Sequence, residues 1–193
     1  MKTRNAFLAL STAVAMTAAP LSAEIINGEY LDENATVTEN AMKISNLSTL
    51  VEAVKTAGLA DDLMGDGPLT VFAPTDAAFA DLPEGALDSL MQPENRDDLI
   101  AVLGTHVVEG EYTTAHMREL MNGEADPDAN AFVDEDMLTL TTLSGTKIRI
   151  DGGVTDQIVV SGAASQVITS IEEDMAQGNG VMHVIDGVIM PVM

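Results

Sequence analysis

Apolar side chains recur along this chain with two periods, and the change from one to the other divides it. Leu47, Leu50, Val51 and Val54 stand at i, i+3, i+4 and i+7, which places them on one face of a helix. Gly58 follows at the position where a left-handed residue closes such a helix. Leu87, Leu90 and Met91 share a face in a second helical stretch, and Leu99, Val102 and Leu103 in a third that begins after Pro93. Between the first two lies a short β-rich run, Leu69 to Ala73, which Pro74 ends; Thr75 or Asp76 then offers an oxygen to cap the turn Ala77 to Leu82. Phe72 and Phe79 on either side of that junction are expected to anchor the core.

From His106 the period shortens. His106 to Val108 predicts a strand, and Thr113 or Thr114 caps a brief helix that buries Met117, Leu120 and Met121. Strands are then predicted near 137–142, 146–150, 157–161, 166–171 and 181–190, separated by Ser144-Gly145, Gly152-Gly153, Ser161-Gly162 and Gly178-Asn179-Gly180. Helices early and strands late imply an α+β fold rather than a doubly wound parallel sheet. Along the last strand Val181, His183 and Ile185 share one face, while Met182, Val184 and Asp186 share the other.

The N-terminus changes the expected compartment. Lys2 and Arg4 precede an uncharged, mostly small and apolar run from Ala6 to Ala19, followed by Pro20-Leu21-Ser22-Ala23, the pattern of a secretory signal peptide cleaved before Glu24. The run falls short of the ~20 residues needed to span a bilayer, and no later apolar run could serve as a membrane anchor. The expected organisation is a signal peptide over 1–23, an extended N-terminal arm without clear period over 24–42, and one domain over 43–193. Secretion or release to the periplasm follows. With no cysteine, stability must come from the core rather than from disulfides.

Charge narrows the partners. Against 31 acidic residues there are 8 basic ones, a formal net charge of −23, and loss of Lys2 and Arg4 with the signal would deepen it to −25. Nucleic acid and anionic lipid are therefore poor candidates for partners. Such acidity suits a heavily hydrated surface in a salty medium, with cation binding as the sharper alternative.

Three segments carry a family resemblance. Thr70-Val71-Phe72-Ala73-Pro74-Thr75-Asp76-Ala77-Ala78-Phe79 resembles the first signature block of fasciclin (FAS1) domains, and Asn179 to Pro191, with Gly180, His183 and Asp186, resembles the second. Between them, Leu103 to Tyr112 is similar to the family's Tyr-His region, except that Thr105 stands where Tyr commonly precedes the His, so the binding role of that pair does not carry over intact to His106. The chain is thus similar to secreted, single-domain bacterial members, and the resemblance implies a wedge-shaped β-sandwich with helices packed around it. It further implies adhesion or extracellular binding, without catalysis or cofactor, of a protein or a cell-surface or matrix partner. The alternative is a periplasmic binding protein for a small ligand or a divalent cation. In animal members an Asp-Ile pair before the second block is associated with integrin recognition, and Asp174 and Met175 occupy the matching positions, although a solvated loop acid followed by a packed Met is the favoured reading of this pair.

The remaining candidates are weighed on their own chemistry. His183 sits between apolar neighbours, and so does His106, which suits a neutral core histidine better than a metal ligand or a catalytic base. His116, on a short helix, is expected to be exposed, and three scattered histidines make no zinc site. Asp126, Asp128 and Asn130 open like a calcium loop, but Ala131 and Met137 replace the required Gly and bidentate Glu, which rules out an EF-hand of the usual form and leaves a looser calcium site as an alternative. Nucleophile-elbow, phosphate-loop and dinucleotide motifs are absent from the sequence.

Overall fold

Two strands that are distant in sequence lie side by side and set the architecture: Leu69–Pro74 and Gly180–Ile185 pair in parallel, with Phe72 opposite His183. The structure, a computed structural model, describes residues 25–26, 29–30, 32, 34–65, 67–122, 131–134, 137–151, 159–161, 167–169 and 175–191. In chain order its elements begin with a small hairpin of β1 (Ile25–Ile26) and β2 (Glu29–Tyr30), then α1 (Val37–Ala41), α2 (Ser48–Ala57) and α3 (Ala60–Leu63). Next come β3 (Leu69–Pro74), α4 (Asp76–Ala80), α5 (Ala86–Leu90), α6 (Arg96–Gly104), β4 (Val107–Glu109) and α7 (Thr114–Met121). The rest is β: β5 (Ala131–Asp134), β6 (Met137–Thr141), β7 (Lys147–Asp151), β8 (Val159–Ser161), β9 (Val167–Thr169), β10 (Met175–Gln177) and β11 (Gly180–Ile185).

The strands form two principal sheets, one ordered β10-β11-β3-β4 and an antiparallel one running from β5 to β9 in sequence. Alternation along the central pair gives each sheet face its own core. Val71, Ala73, Met182 and Val184 join a cluster with Leu50, Val54, Leu99 and Leu103 of α2 and α6. Phe72 and Ile185 face the other way and pack with Leu138, Leu140, Ile148, Ile150 and Val160 of the larger sheet. All six residues of β11 are buried, as befits a strand with both faces covered.

Local chemistry ends and joins these elements. Gly58 takes φ +75° and its neighbour's N–H reaches back to Val54, the left-handed stop expected for α2. The Arg96 guanidinium adds a second clasp there, donating from Nε and Nη2 to the Ala57 carbonyl at 3.0 and 2.7 Å. At Gly180 the close approach of β3 requires glycine, because a Cβ at that position would run into the backbone carbonyl of Leu69.

The structure departs from the periodicity in several places. The stretch expected as an arm contains α1, whose Val37 and Ala41 are buried in the helical core. A capping box holds it, with Thr36 Oγ1 accepting from Glu39 N–H and Glu39 accepting from Thr36 N–H. The last strand stops at Ile185 instead of 190, because Asp186-Gly187 bends away while Val188 and Ile189 still pack into the cores. Helix α3 and the short strands β5 and β10 were not expected. Among the described residues, no helix is long and apolar enough to cross a membrane.

Candidate functional site

The three family-like segments lie side by side in the four-stranded sheet, as the central strands β11 and β3 and the edge strand β4 with its following turn. Their polar side chains are spent on the fold. Thr70 is fully buried; its hydroxyl donates to the Gly110 carbonyl at 2.7 Å and accepts from Tyr112 N–H at 2.9 Å, fixing the turn after β4. That turn aims the Tyr112 carbonyl at His183, whose Nε2 donates to it at 2.7 Å. Phe72 on the neighbouring strand stacks on the imidazole, with ring centroids 5.3 Å apart.

At the strand end, Pro74 closes β3 and Thr75 caps α4 by accepting from Ala78 N–H at 3.2 Å, while Phe79 is buried behind it. Asp76 works elsewhere. Its carboxylate accepts from the Ser48 hydroxyl at 2.7 Å and from Thr49 N–H at 2.8 Å, and so caps the start of α2. Burial pushes this carboxyl up, but the bonds from Thr49 and Ser48 outweigh it and leave its pKa below the ordinary aspartate value. Asn179 is a second cross-chain clamp: its Oδ1 accepts from Val37 N–H at 3.0 Å, and its amide donates to the carbonyls of Leu63 and Gly65. It ties α1 and the end of α3 to the turn before β11. Asp186 lies exposed beyond the strand.

The candidates for partner contact fare differently. His106 is buried, with Nδ1 donating to the Val102 carbonyl at 2.8 Å and Nε2 accepting from Ile189 N–H at 2.9 Å. Because a carbonyl only accepts and an amide only donates, the ring is the neutral Nδ1–H tautomer. Burial lowers its pKa to about 4 against the raising effect of the Val102 bond. Met175 is fully buried on β10, inside the helical core, so its side chain is not presented to a partner. Asp174, and the calcium-loop candidates Asp126, Asp128 and Asn130, lie outside the described residues.

His116 is half-buried rather than exposed, with Nδ1 against the Glu111 carbonyl at 2.9 Å and its ring stacked on Tyr112. Thr105 fills its position with hydroxyl chemistry, donating to the Ala101 carbonyl at 2.8 Å and lying 2.9 Å from the Ser144 hydroxyl. Ser144 also meets the Thr142 hydroxyl at 3.0 Å, so this small cluster docks the β6–β7 turn on the end of α6. Among the described residues, no three His, Cys, Asp or Glu side chains are grouped to hold a metal ion.

A buried parallel pair of signature strands, braced by helices on one face and a second sheet on the other, defines an α+β domain whose motif residues build the fold. Comparison with known proteins identifies it. The fasciclin domain family model matches residues 45–191, and the chain belongs to that family. It is 37% identical over 169 residues to Protein sll1483 of Synechocystis sp., covering 88% of this chain and 81% of that one. Human periostin is 30% identical over 148 residues, which span 76% of this chain and 15% of periostin. In fold the chain is similar to a FAS1 domain pair from the insect cell adhesion molecule Fasciclin I, with a TM-score of 0.64 at 20% identity, covering 81% of this chain and 51% of that structure.

Proposed function

We propose that this chain is an exported, non-enzymatic binding module that engages a protein or a cell-surface or matrix component through its exterior. One observation carries the reading: apart from the exposed Asp186, the polar residues of the signature segments serve the fold, with Thr70, Asp76, Asn179, His106 and His183 all bonded within the domain. A histidine with both nitrogens engaged, as in His106, is poorly placed to take a proton from a substrate. The family and the adhesion-molecule source of the structural neighbour support recognition by contact. Export rests on the N-terminal pattern, with residues 1–23 removed before Glu24.

The test immobilises the exported protein, first confirmed by intact mass to begin at Glu24, and exposes it to native envelope and matrix fractions. Saturable retention that free protein competes away, and heat-unfolded protein does not, is the expected result. Retention that never saturates, or that the unfolded chain competes equally well, overturns the proposal.

A further inference from the structure

A depression opens between α1, α2, α3 and the helix-facing side of the β3–β11 pair. Its walls are mostly aliphatic, among them Val37, Val54, Leu63, Leu103 and Met182, and no Phe, Tyr or Trp ring lines it. Its cavity volume is about 40 Å³. Two lining residues are exposed and form the rim: Met42, 44% exposed, and Lys55. His106 also lines the space, but its ring nitrogens are engaged elsewhere and it offers only carbon edges.

One polar group does not fit this apolar lining. Thr38 of α1 is 7% exposed, lines the depression, and has a buried hydroxyl without a hydrogen-bond partner. Leaving a buried hydroxyl unpaired costs ~1–3 kcal/mol, so such a group in a native fold calls for a reason. A valine would fill the same volume without the cost.

We infer that this depression is a binding site for a single aliphatic chain with an oxygen head group, held by a hydrogen bond between that head and the Thr38 hydroxyl. The walls fix the rest of the ligand. Without a Phe, Tyr or Trp ring to stack on, they favour a flexible alkyl chain over a flat ring. Lys55, one of six basic residues beyond the signal segment in a strongly acidic chain, would distinguish an anionic head from a neutral one. The accessible space takes only a few water molecules as it stands. An alkyl chain therefore enters by turning Met42 out of the mouth, which its exposure and unbranched side chain allow, and the same opening has to uncover the Thr38 oxygen, which is closed to water in this structure. This site is separate from the exterior surface proposed to meet a macromolecular partner, and neither reading depends on the other.

The experiment titrates the exported protein, labelled with ¹³C at its methionine methyls, with decanoate and with 1-decanol below their aggregation limits. Both probes should shift Met182 and Met42 and saturate one site. Thr38→Val should weaken both about tenfold, the loss of one hydrogen bond, while melting at or above the wild-type temperature. Lys55→Gln should weaken decanoate and leave 1-decanol unchanged, because only the carboxylate meets the ammonium charge at the rim. Val51→Phe, which fills the half-buried wall, should abolish both. The inference is overturned if neither probe shifts Met182, or if Thr38→Val binds as wild type does. It is equally overturned if Thr38→Val melts well below wild type, because the hydroxyl would then already have a partner.

Discussion

A ring nitrogen that faces an amide N–H cannot take up a proton without turning a bond into a clash. His106 is in that position, with Ile189 N–H on Nε2 and the Val102 carbonyl on Nδ1–H. Its pKa falls from 6.5 to about 4, with burial as the main cause. In the unfolded chain the same residue protonates near 6.5, so between those values the unfolded state binds more protons and stability rises with pH. The contribution is fully present above pH ~6.5 and is lost as pH falls toward ~4, and the shift corresponds to on the order of 3 kcal/mol. His106→Gln should therefore be less stable than wild type at pH 7, and the gap should narrow steadily down to pH 4, because the carboxylates titrate alike in both proteins. Urea unfolding of the two proteins across that range is the measurement. Parallel curves would show that His106 is not held neutral by the fold.

At the scale of elements, what the sequence disclosed and what it hid follow from the range over which each signal acts. Helix α2 was legible because its apolar positions repeat through ten residues and Gly58 closes it, and both are local signals. Helix α1, five residues long, is too short to show a period, although the capping box of Thr36 and Glu39 was there to be read. Strands β5 and β10 are four and three residues long, and their order comes from pairing with β6 and β11, which no local pattern records. The site divides the same way: His183 and Asp76 could be singled out by type, but their partners lie 71 and 28 residues away in sequence. Asp76 shows the cost of such a remote contact, since it stands in the first turn of α4 yet caps α2. Asp76→Ala should lower stability by about 1 kcal/mol, the usual worth of a lost cap. Its pKa lies below the ordinary value, so this contribution is present above pH ~4 and is lost as pH falls through the lower folded-state value. Amide exchange should quicken in the first turn of α2 while α4, still capped by Thr75, is unchanged; faster exchange confined to α4 would refute the cross-helix role.

The whole molecule carries a charge that no single contact explains. With 31 acidic residues against 8 basic ones, most carboxylates have no cation to pair with, and the compact state holds them closer together than the unfolded chain does. Self-repulsion should therefore weaken the fold at low ionic strength. Raising the salt from ~0.01 M to ~1 M shortens the screening length from ~30 Å to ~3 Å, which removes most of the repulsion between exposed charges. The melting temperature should rise continuously with NaCl. A cation site behaves differently, because binding to the folded state alone stabilises by mass action and saturates once the site is full. The described residues hold no grouping of three His, Cys, Asp or Glu side chains able to bind a metal ion. The sequence segment with Asp126, Asp128 and Asn130, outside those residues, lacks the glycine and the bidentate glutamate of a tight calcium loop. NaCl and CaCl₂ should consequently act alike at matched ionic strength, apart from some condensation of the divalent ion on so acidic a surface. Thermal melts in both salts, on wild type, Asp126→Ala and Asp128→Ala, separate the two cases. A calcium-specific rise that saturates at millimolar concentration or below, and that disappears in both variants, would make the loop a binding site and reduce screening to a background effect.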